Sequence, residues 1–334
     1  MSEPVLGLYG YAPELAFLRG LEPGARADRL AGLGATVVFG GDDDSALAEA
    51  LRARGMRVMA EFGCFVGRDW WERYPDSQPL LADGALLAQD GFYCGVNPAH
   101  QGVRDALLRR LMALVQSRPL DGLWLDFCRW PCHWEAPAPP LPDTSFDAAT
   151  VAAFGRDASL VTSGEGTTAA GLLLGELREA WLAWRCSVVT HFAVEAAAIV
   201  RAAQPHCLVG MFTVPWRRDD WHGALTRIVG QDLAALSPHI DVFSPMVYHR
   251  MCGQAPGWVA SVCEDVRLAA SRPVWPIVQS VDQPPGMSPL EYRAALQAGL
   301  RAGDGVLVFN LQGLEDKQRR AATADVFGGR TGCA

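Results

Sequence analysis

Two kinds of apolar pattern alternate along the chain. Short unbroken runs such as VLGLYG, TVVFG, GLWLDF, VWPIVQS and GVLVFNL carry β-branched and large apolar residues without a regular polar alternation, as parallel strands buried on both faces do. Eight such segments predict strands over 5–10, 36–40, 57–62, 122–127, 208–213, 241–247, 274–280 and 305–310. Between them apolar residues return at helical spacing over 44–54, 101–117, 176–203, 258–270 and 288–302, several of these stretches starting near a Ser, Asp or Pro.

Repeated strand-then-helix units predict an α/β architecture, a single (β/α)8 TIM barrel over 1–334 with helices outside a ring of parallel strands. An open doubly wound sheet is the alternative; the number of strands favours closure. Residues 131–175 interrupt the pattern with PCHWEAPAPPLPDTSFD and a Ser/Thr/Gly-containing stretch, and read as a rim or lid segment inserted after the fourth strand. There is no internal repeat of the solenoid kind.

Half of the residues are hydrophobic and 20% are charged, the balance of a globular protein. A net charge of −8 removes the attraction to phosphate on which non-specific nucleic-acid binding rests, so neither nucleic acid nor an anionic membrane is an expected partner. The start, MSEPVLGLYG, lacks a basic segment followed by an apolar run, and nine scattered cysteines suit free thiols, so a cytoplasmic protein is expected. Lys317 is the only lysine and reads as part of a final surface helix, which leaves Schiff-base chemistry without a nucleophile.

The strongest local signal is DGLWLDFCRWP at 121–131, where an Asp-Gly turn leads into an apolar strand ending on Asp126. Groups at the carboxyl ends of barrel strands converge on one site, which makes Asp126 the leading catalytic candidate. Arg129 would orient this carboxylate and lower its pKa, keeping it ionised; a loop-bracing Asp–Arg pair is the structural alternative. Glu61, in MAEFGCF at the end of the third strand, is the preferred second carboxyl, since apolar surroundings would raise its pKa toward that of a working acid. Asp219 and Asp220, in VPWRRDDW, are the other candidates, and a buried structural glutamate is the alternative for Glu61.

The sixth strand ends in SPMVYHR, which brings Met246, Tyr248, His249 and Arg250 toward the rim; Tyr248 and His249 suit hydroxyl recognition, and His249 would exchange a proton if no second carboxylate were near. Tyr9, Asn97, Gln279 and Asn310 are further polar groups near strand or loop ends. Trp70, Trp71, Trp130, Trp134, Trp216, Trp221 and Trp258 fall after strands or in the loops they open, where rings stack on sugars or pack loops onto the barrel. Trp130, Trp134, Trp216, Asp220 and Arg129 complete the expected substrate contacts. Cys128, Cys132 and His133 are conceivable metal ligands, but without a second cysteine pair at zinc-like spacing no metal and no cofactor is expected. There is no GxxxxGK[ST], HExxH or GxSxG, which argues against nucleotide hydrolysis, zincin proteolysis and α/β-hydrolase chemistry.

Four stretches, VNPAHQGVRDALLRRLMALV at 96–115, DGLWLDFCRWP, EAWLAWRCSVVTHFAVEAAAIVRAAQP at 179–205 and HIDVFSPMVYHR at 239–250, give the chain a resemblance to the glycosyl-hydrolase-10-like (DUF187-like) barrels of the transglycosidase superfamily. The resemblance implies a TIM barrel that hydrolyses an O-glycosidic bond in an oligo- or polysaccharide, with Asp126 in the place of a nucleophile or base; Glu61 would then be the acid. A chitinase-like DGxDxDxE is not kept, since Trp124 and Cys128 stand at its second Asp and its Glu. A carbohydrate-binding barrel without catalysis is the alternative, and a metal-dependent deacetylase or lyase would need a His/Asp cluster at the strand ends.

Overall fold

The computed structural model describes residues 4–160, 162 and 164–328; Val161 and Ser163, within the expected insertion, and both termini lie outside the described residues. The strands are β1 Val5–Leu8, β2 Val37–Phe39, β3 Arg57–Gly63, β4 Gly122–Asp126, β5 Leu208–Thr213, β6 Val242–Val247, β7 Ile277–Gln279 and β8 Gly305–Phe309. All neighbours pair in parallel in chain order, and β1 closes onto β8 from Val5↔Gly305 to Leu8↔Val308. The sheet is therefore a closed (β/α)8 barrel, not an open doubly wound one. β7 is shorter than the expected 274–280: Pro276 has no N–H for the ladder, and Val274 makes only an isolated bridge to Phe243.

The helices are α1 Pro23–Ala31, α2 Ser45–Arg52, α3 Arg68–Arg73, α4 Gln101–Ser117, α5 Ala148–Asp157, α6 Gly166–Leu173, α7 Arg178–Ala203, α8 Ala224–Arg227, α9 Leu233–Leu236, α10 Trp258–Ala270, α11 Pro289–Ala302 and α12 Lys317–Gly328. Their starts follow local chemistry. The Asp44 carboxylate accepts from the Leu47 amide at 3.0 Å to open α2, and the Ser288 hydroxyl accepts from Glu291 with Pro289 in the first turn of α11. α7 is long and apolar enough to cross a membrane by composition, but here it lies along α4 with Val189, Phe192, Ala193 and Ala196 buried.

The amino-terminal face carries a fourfold device. Thr36, Asp121, Asp241 and Asp304 each immediately precede an even-numbered strand, and each side chain accepts the backbone N–H of Leu6, Val58 or Val209 near the start of the strand before it, or of Val274 just ahead of β7, at 2.8–2.9 Å. The three aspartates also bind Arg52, Arg201 and Arg267 from helices α2, α7 and α10. In DGLWLDF the first aspartate thus belongs to the stability face and the second to the opposite end of the same strand.

The barrel interior is filled around Trp124. A Cβ on Gly210 would stand 2.0 Å from its indole, so only glycine on β5 leaves room for that ring. Trp124 stacks on Trp275 at 5.4 Å, meets Phe39 edge-on at 5.1 Å, and donates from Nε1 to Ser244 Oγ at 3.0 Å. This layer is the floor of the mouth above. Of the inserted segment, Trp134 and Glu135 reach that mouth, whereas Phe146 and Phe154 pack against Trp181 on α7.

Candidate active site

Register decides which carboxyls enter the mouth. Glu61 pairs with Trp124 and Gly63 with Asp126; because successive strand residues alternate faces, Glu61 and Asp126 both point inward with Trp124, Asp126 one layer higher. They face a well of about 180 Å³. Tyr9, Phe212, Met246, Tyr248, Ile277 and Phe309 line it from other strands or their ends. Loops add Phe92, Phe127, Arg129, Trp134 and Glu135.

The two carboxyls form one hydrogen-bonded unit. The Tyr9 hydroxyl donates to Glu61 Oε2, and Glu61 is hydrogen-bonded to Asp126. Asp126 Oδ1 also accepts the Phe127 N–H at 2.7 Å. Phe127 sits at φ 50°, a left-handed conformation costing a side-chain-bearing residue about 1–3 kcal/mol, held where the strand turns into the loop. Burial, and then the charge of Glu61, push the Asp126 carboxyl up to about 8; Arg129 and the Phe127 N–H oppose this without prevailing. Burial also raises the pKa of Glu61, although hydrogen bonds from Tyr9 and Asp126 favour its anion. The Glu61 side chain opens onto water in the well, but protein surrounds it on the other sides. Arg129 thus lowers the Asp126 pKa as expected, but burial and Glu61 outweigh it. The two carboxyls titrate as a pair, and Asp126 is the member that burial and its neighbour push up to about 8.

Arg129 is buried over the rings of Phe127 and Tyr93, at 4.8 and 5.9 Å, and its Nε and Nη1 have no hydrogen-bond partner among the described residues. It acts on Asp126 through its field rather than through contact. The other wall is aromatic: Trp134 leans on Tyr248 at 5.5 Å, Tyr248 stacks on Phe309 at 4.5 Å, and Tyr9 meets Phe309 and Phe212 at 5.4 and 5.7 Å. Such rings offer flat apolar faces with hydroxyl edges. Phe92, 66% exposed on the turn closed by Asp90 and Tyr93, stands at the rim. Beyond it the well opens into a trough of about 730 Å³ that shares Phe92, Glu135 and Phe309 with it and runs past Asn310.

Of the residues singled out from sequence, Tyr9, Glu61, Asp126, Arg129, Trp134, Met246 and Tyr248 come together here. The others lie outside this well. Trp130 is buried with its ring 4.1 Å from the Arg185 guanidinium and its Nε1 bonded to the Arg185 carbonyl, because the chain turns outward after Arg129. Asn97 binds Asp147 and Thr150 and braces α5. Trp216 and Asp220 line a separate cleft with Trp221 and Trp258, where Asp220 is held by Arg217; Asp219 is exposed.

His249 is fully buried beside Glu291 of α11, and burial lowers its pKa, so it has no path to exchange a proton in the well. Arg250 is spent on Glu291 and the Pro284 and Pro285 carbonyls. Gln279 ties the loops after β6 and β7 together through Met251, Val281 and Gln283, and Asn310 caps the turn that begins at Leu311. Trp70 is buried on α3, and Trp71 bonds the Gly95 carbonyl. Cys132 donates to the Pro140 carbonyl while His133 turns to Asp90 and Glu135, so Cys128, Cys132 and His133 do not converge.

Sequence reasoning missed Glu135, Phe92, Phe127, Phe212, Ile277 and Phe309. Phe212 and Phe309 were findable, since each lies within one residue of the end of a predicted strand, as do Tyr9, Glu61, Asp126, Gln279 and Asn310. Phe92 and Glu135 sit on irregular loops and carry no periodic signal.

Likeness to solved structures lies in this fold. The glycoside hydrolase domain of PgaB (BpsB) from Bordetella bronchiseptica superposes with a TM-score of 0.71 at 15% identity, over 97% of this chain and 98% of that one. The β-galactosidase of the psychrophilic Marinomonas ef1 gives 0.69 at 13% identity, over 97% of this chain and 59% of that one. The cold-adapted β-galactosidase of Rahnella sp. R3 gives 0.70 at 12%, over 99% and 56%. The chain spans a little over half the length of those two galactosidases. No family model and no curated protein sequence matches the chain. At these identities the likeness establishes one thing, the TIM-barrel fold over nearly the whole chain.

Proposed function

We propose that the protein is a glycoside hydrolase that cleaves an O-glycosidic bond in an oligo- or polysaccharide. The observation that carries the reading is the Asp126–Glu61 pair, hydrogen-bonded at the carboxyl end of β3 and β4, inside an aromatic-lined well with room for a single sugar ring. A carboxyl that keeps its proton near neutral pH is what general-acid attack on a glycosidic oxygen requires. Asp126 therefore takes the acid role that Glu61 was expected to fill, and Glu61, steadied by Tyr9, is the anionic partner that holds that proton in place. Trp134, Tyr248 and Phe309 supply stacking faces for the ring, and the trough receives the rest of the glycan. Trp134 and Glu135 bring the inserted segment to the mouth, where it serves as a rim. The barrels of PgaB and of the β-galactosidases, whose names describe glycoside cleavage, support the reading at the level of scaffold.

The test is a screen of chromogenic glycosides and glycans with the wild-type protein beside Asp126→Asn. Hydrolysis by the wild type, reduced about 10²–10⁴-fold in the variant, is expected. Equal activity in both removes Asp126 from the mechanism. Inactivity of both with retained glycan binding makes the barrel a carbohydrate-binding protein.

A further inference from the structure

Hydrolysis of a glycosidic bond takes two carboxyl groups on opposite sides of that bond, one to protonate the leaving oxygen and one to attack or to activate water. Glu61 and Asp126 come from neighbouring strands and hydrogen-bond each other, so both occupy one wall. Among the described residues, Glu135 is the other carboxyl that lines the well. It arrives from the loop beyond β4, where the well opens into the trough, and its side chain stays 21% exposed, within reach of water.

Its surroundings are built. Glu135 Oε2 lies 3.1 Å from His133 Nε2, and His133 Nδ1 lies 2.7 Å from Asp90 Oδ2. An ionised carboxylate only accepts hydrogen bonds, so satisfying both contacts requires a proton on each ring nitrogen, an imidazolium. The hydrogen bond to Glu135 is the largest cause raising the pKa of His133, against the effect of its burial. The ring is stacked on Tyr93 at 5.6 Å and meets Phe92 edge-on, and the Tyr93 hydroxyl receives the Cys132 N–H at 3.0 Å, which pins the loop. The other titratable groups within the field of Glu135 are Asp126, Tyr93, Tyr248 and Cys252; Asp282 and Arg319, paired with each other, and Asp316 stand farther along the trough.

We propose that Glu135 is the catalytic base of this hydrolase, facing the Asp126–Glu61 pair across the well, with His133 and Asp90 as the residues that position it. The proposal rests on the glycosidase reading above and assigns that site its second carboxyl and a single-displacement course. Water entering from the trough bonds through its oxygen to the anomeric carbon and gives a proton to Glu135. The bond from that carbon to the glycosidic oxygen breaks, its electron pair stays on the oxygen, and the oxygen takes the Asp126 proton. Two hydroxyl-bearing products leave with the anomeric configuration inverted, and solvent returns the proton from Glu135 to Asp126.

The experiment uses the aryl glycoside that the wild-type protein hydrolyses best, prepared with a good leaving group (2,4-dinitrophenyl) and a poor one (phenyl). Glu135→Gln should lose about 10²–10⁴-fold in kcat on both, since the base acts whatever departs, whereas Asp126→Asn should lose far more on the phenyl than on the dinitrophenyl substrate. Thermal unfolding of Glu135→Gln matching the wild type assigns the loss to chemistry rather than folding. His133→Gln should move the acidic limb of the kcat/KM profile to higher pH with little change in KM, which a purely structural histidine would not do. Proton NMR of the first-formed product should give the anomer opposite to that of the substrate. A Glu135→Gln protein that keeps its activity, or a product of retained configuration, overturns the role given to Glu135 while leaving the hydrolase reading intact. Inactivity of the wild type on every glycoside overturns both.

Discussion

Asp126 stands one inward-facing layer above Glu61 on the neighbouring strand and is hydrogen-bonded to it, so the two carboxyls behave as one acid. Two carboxylates held in low dielectric cannot both be unprotonated cheaply, so burial raises the pKa of both members and the charge of Glu61 raises that of Asp126 further.

The pH dependence of turnover follows from that proton. In the proposed mechanism Asp126 is the working acid only while protonated, and its carboxyl is pushed up to about 8. The kcat/KM profile should fall on its basic side with a midpoint near that value, about tenfold per pH unit beyond it. A basic limb that begins below pH 6 would contradict the assignment.

Substitution of Asp126 should move stability in the opposite sense to activity. Between the ordinary carboxylate range and about 8 the folded protein holds a proton on Asp126 that the unfolded chain has released, so this group makes the fold less stable as pH rises through that window. Asp126→Asn removes the penalty. The variant should be more stable than wild type at pH 7.5, unfolding at a higher temperature, and the difference should vanish toward pH 4. Calorimetry at the two pH values checks it.

Tyr9→Phe deletes the hydroxyl that steadies the Glu61 anion and leaves the ring packed on Phe309 and Phe212. A hydrogen bond to a charged group is worth about 1.5–3 kcal/mol, so kcat should fall roughly 10–100-fold, with KM little changed. Steady-state kinetics on the best aryl glycoside measures both.

The amino-terminal face should affect stability alone. Asp241→Ala strips the acceptor from the Val209 amide and the partner from Arg201, and should cost about 1–3 kcal/mol in unfolding free energy with unchanged KM. Denaturant titration beside kinetics separates the two effects.

Gly210→Ala tests the interior packing. Its methyl would fall 2.0 Å from the Trp124 indole, a contact that neither strand nor ring can relieve without displacing the floor of the well. A loss of about 1–3 kcal/mol or more is expected, together with reduced activity. An alanine variant as stable as wild type would mean that the ring has another place to go.

Much of the fold was legible in the order of residues because both periodicities are local: buried parallel strands are apolar throughout, helices repeat their apolar face every three to four residues, and β5 at Leu208–Thr213 and α10 at Trp258–Ala270 begin and end where those patterns do. Asp126 was legible for the same reason, as an acid closing an apolar strand. What only the tertiary structure decided is what non-local contact decides. Ring closure depends on β1 meeting β8 across nearly the whole chain, and the raised pKa of Asp126 depends on burial inside the closed barrel and on Glu61, which local residue order cannot bring beside it. The inward reach of Glu135 and the outward turn of Trp130 were undetermined in sequence, because a loop has no period and its side chains point where packing against the rest of the barrel leaves them room.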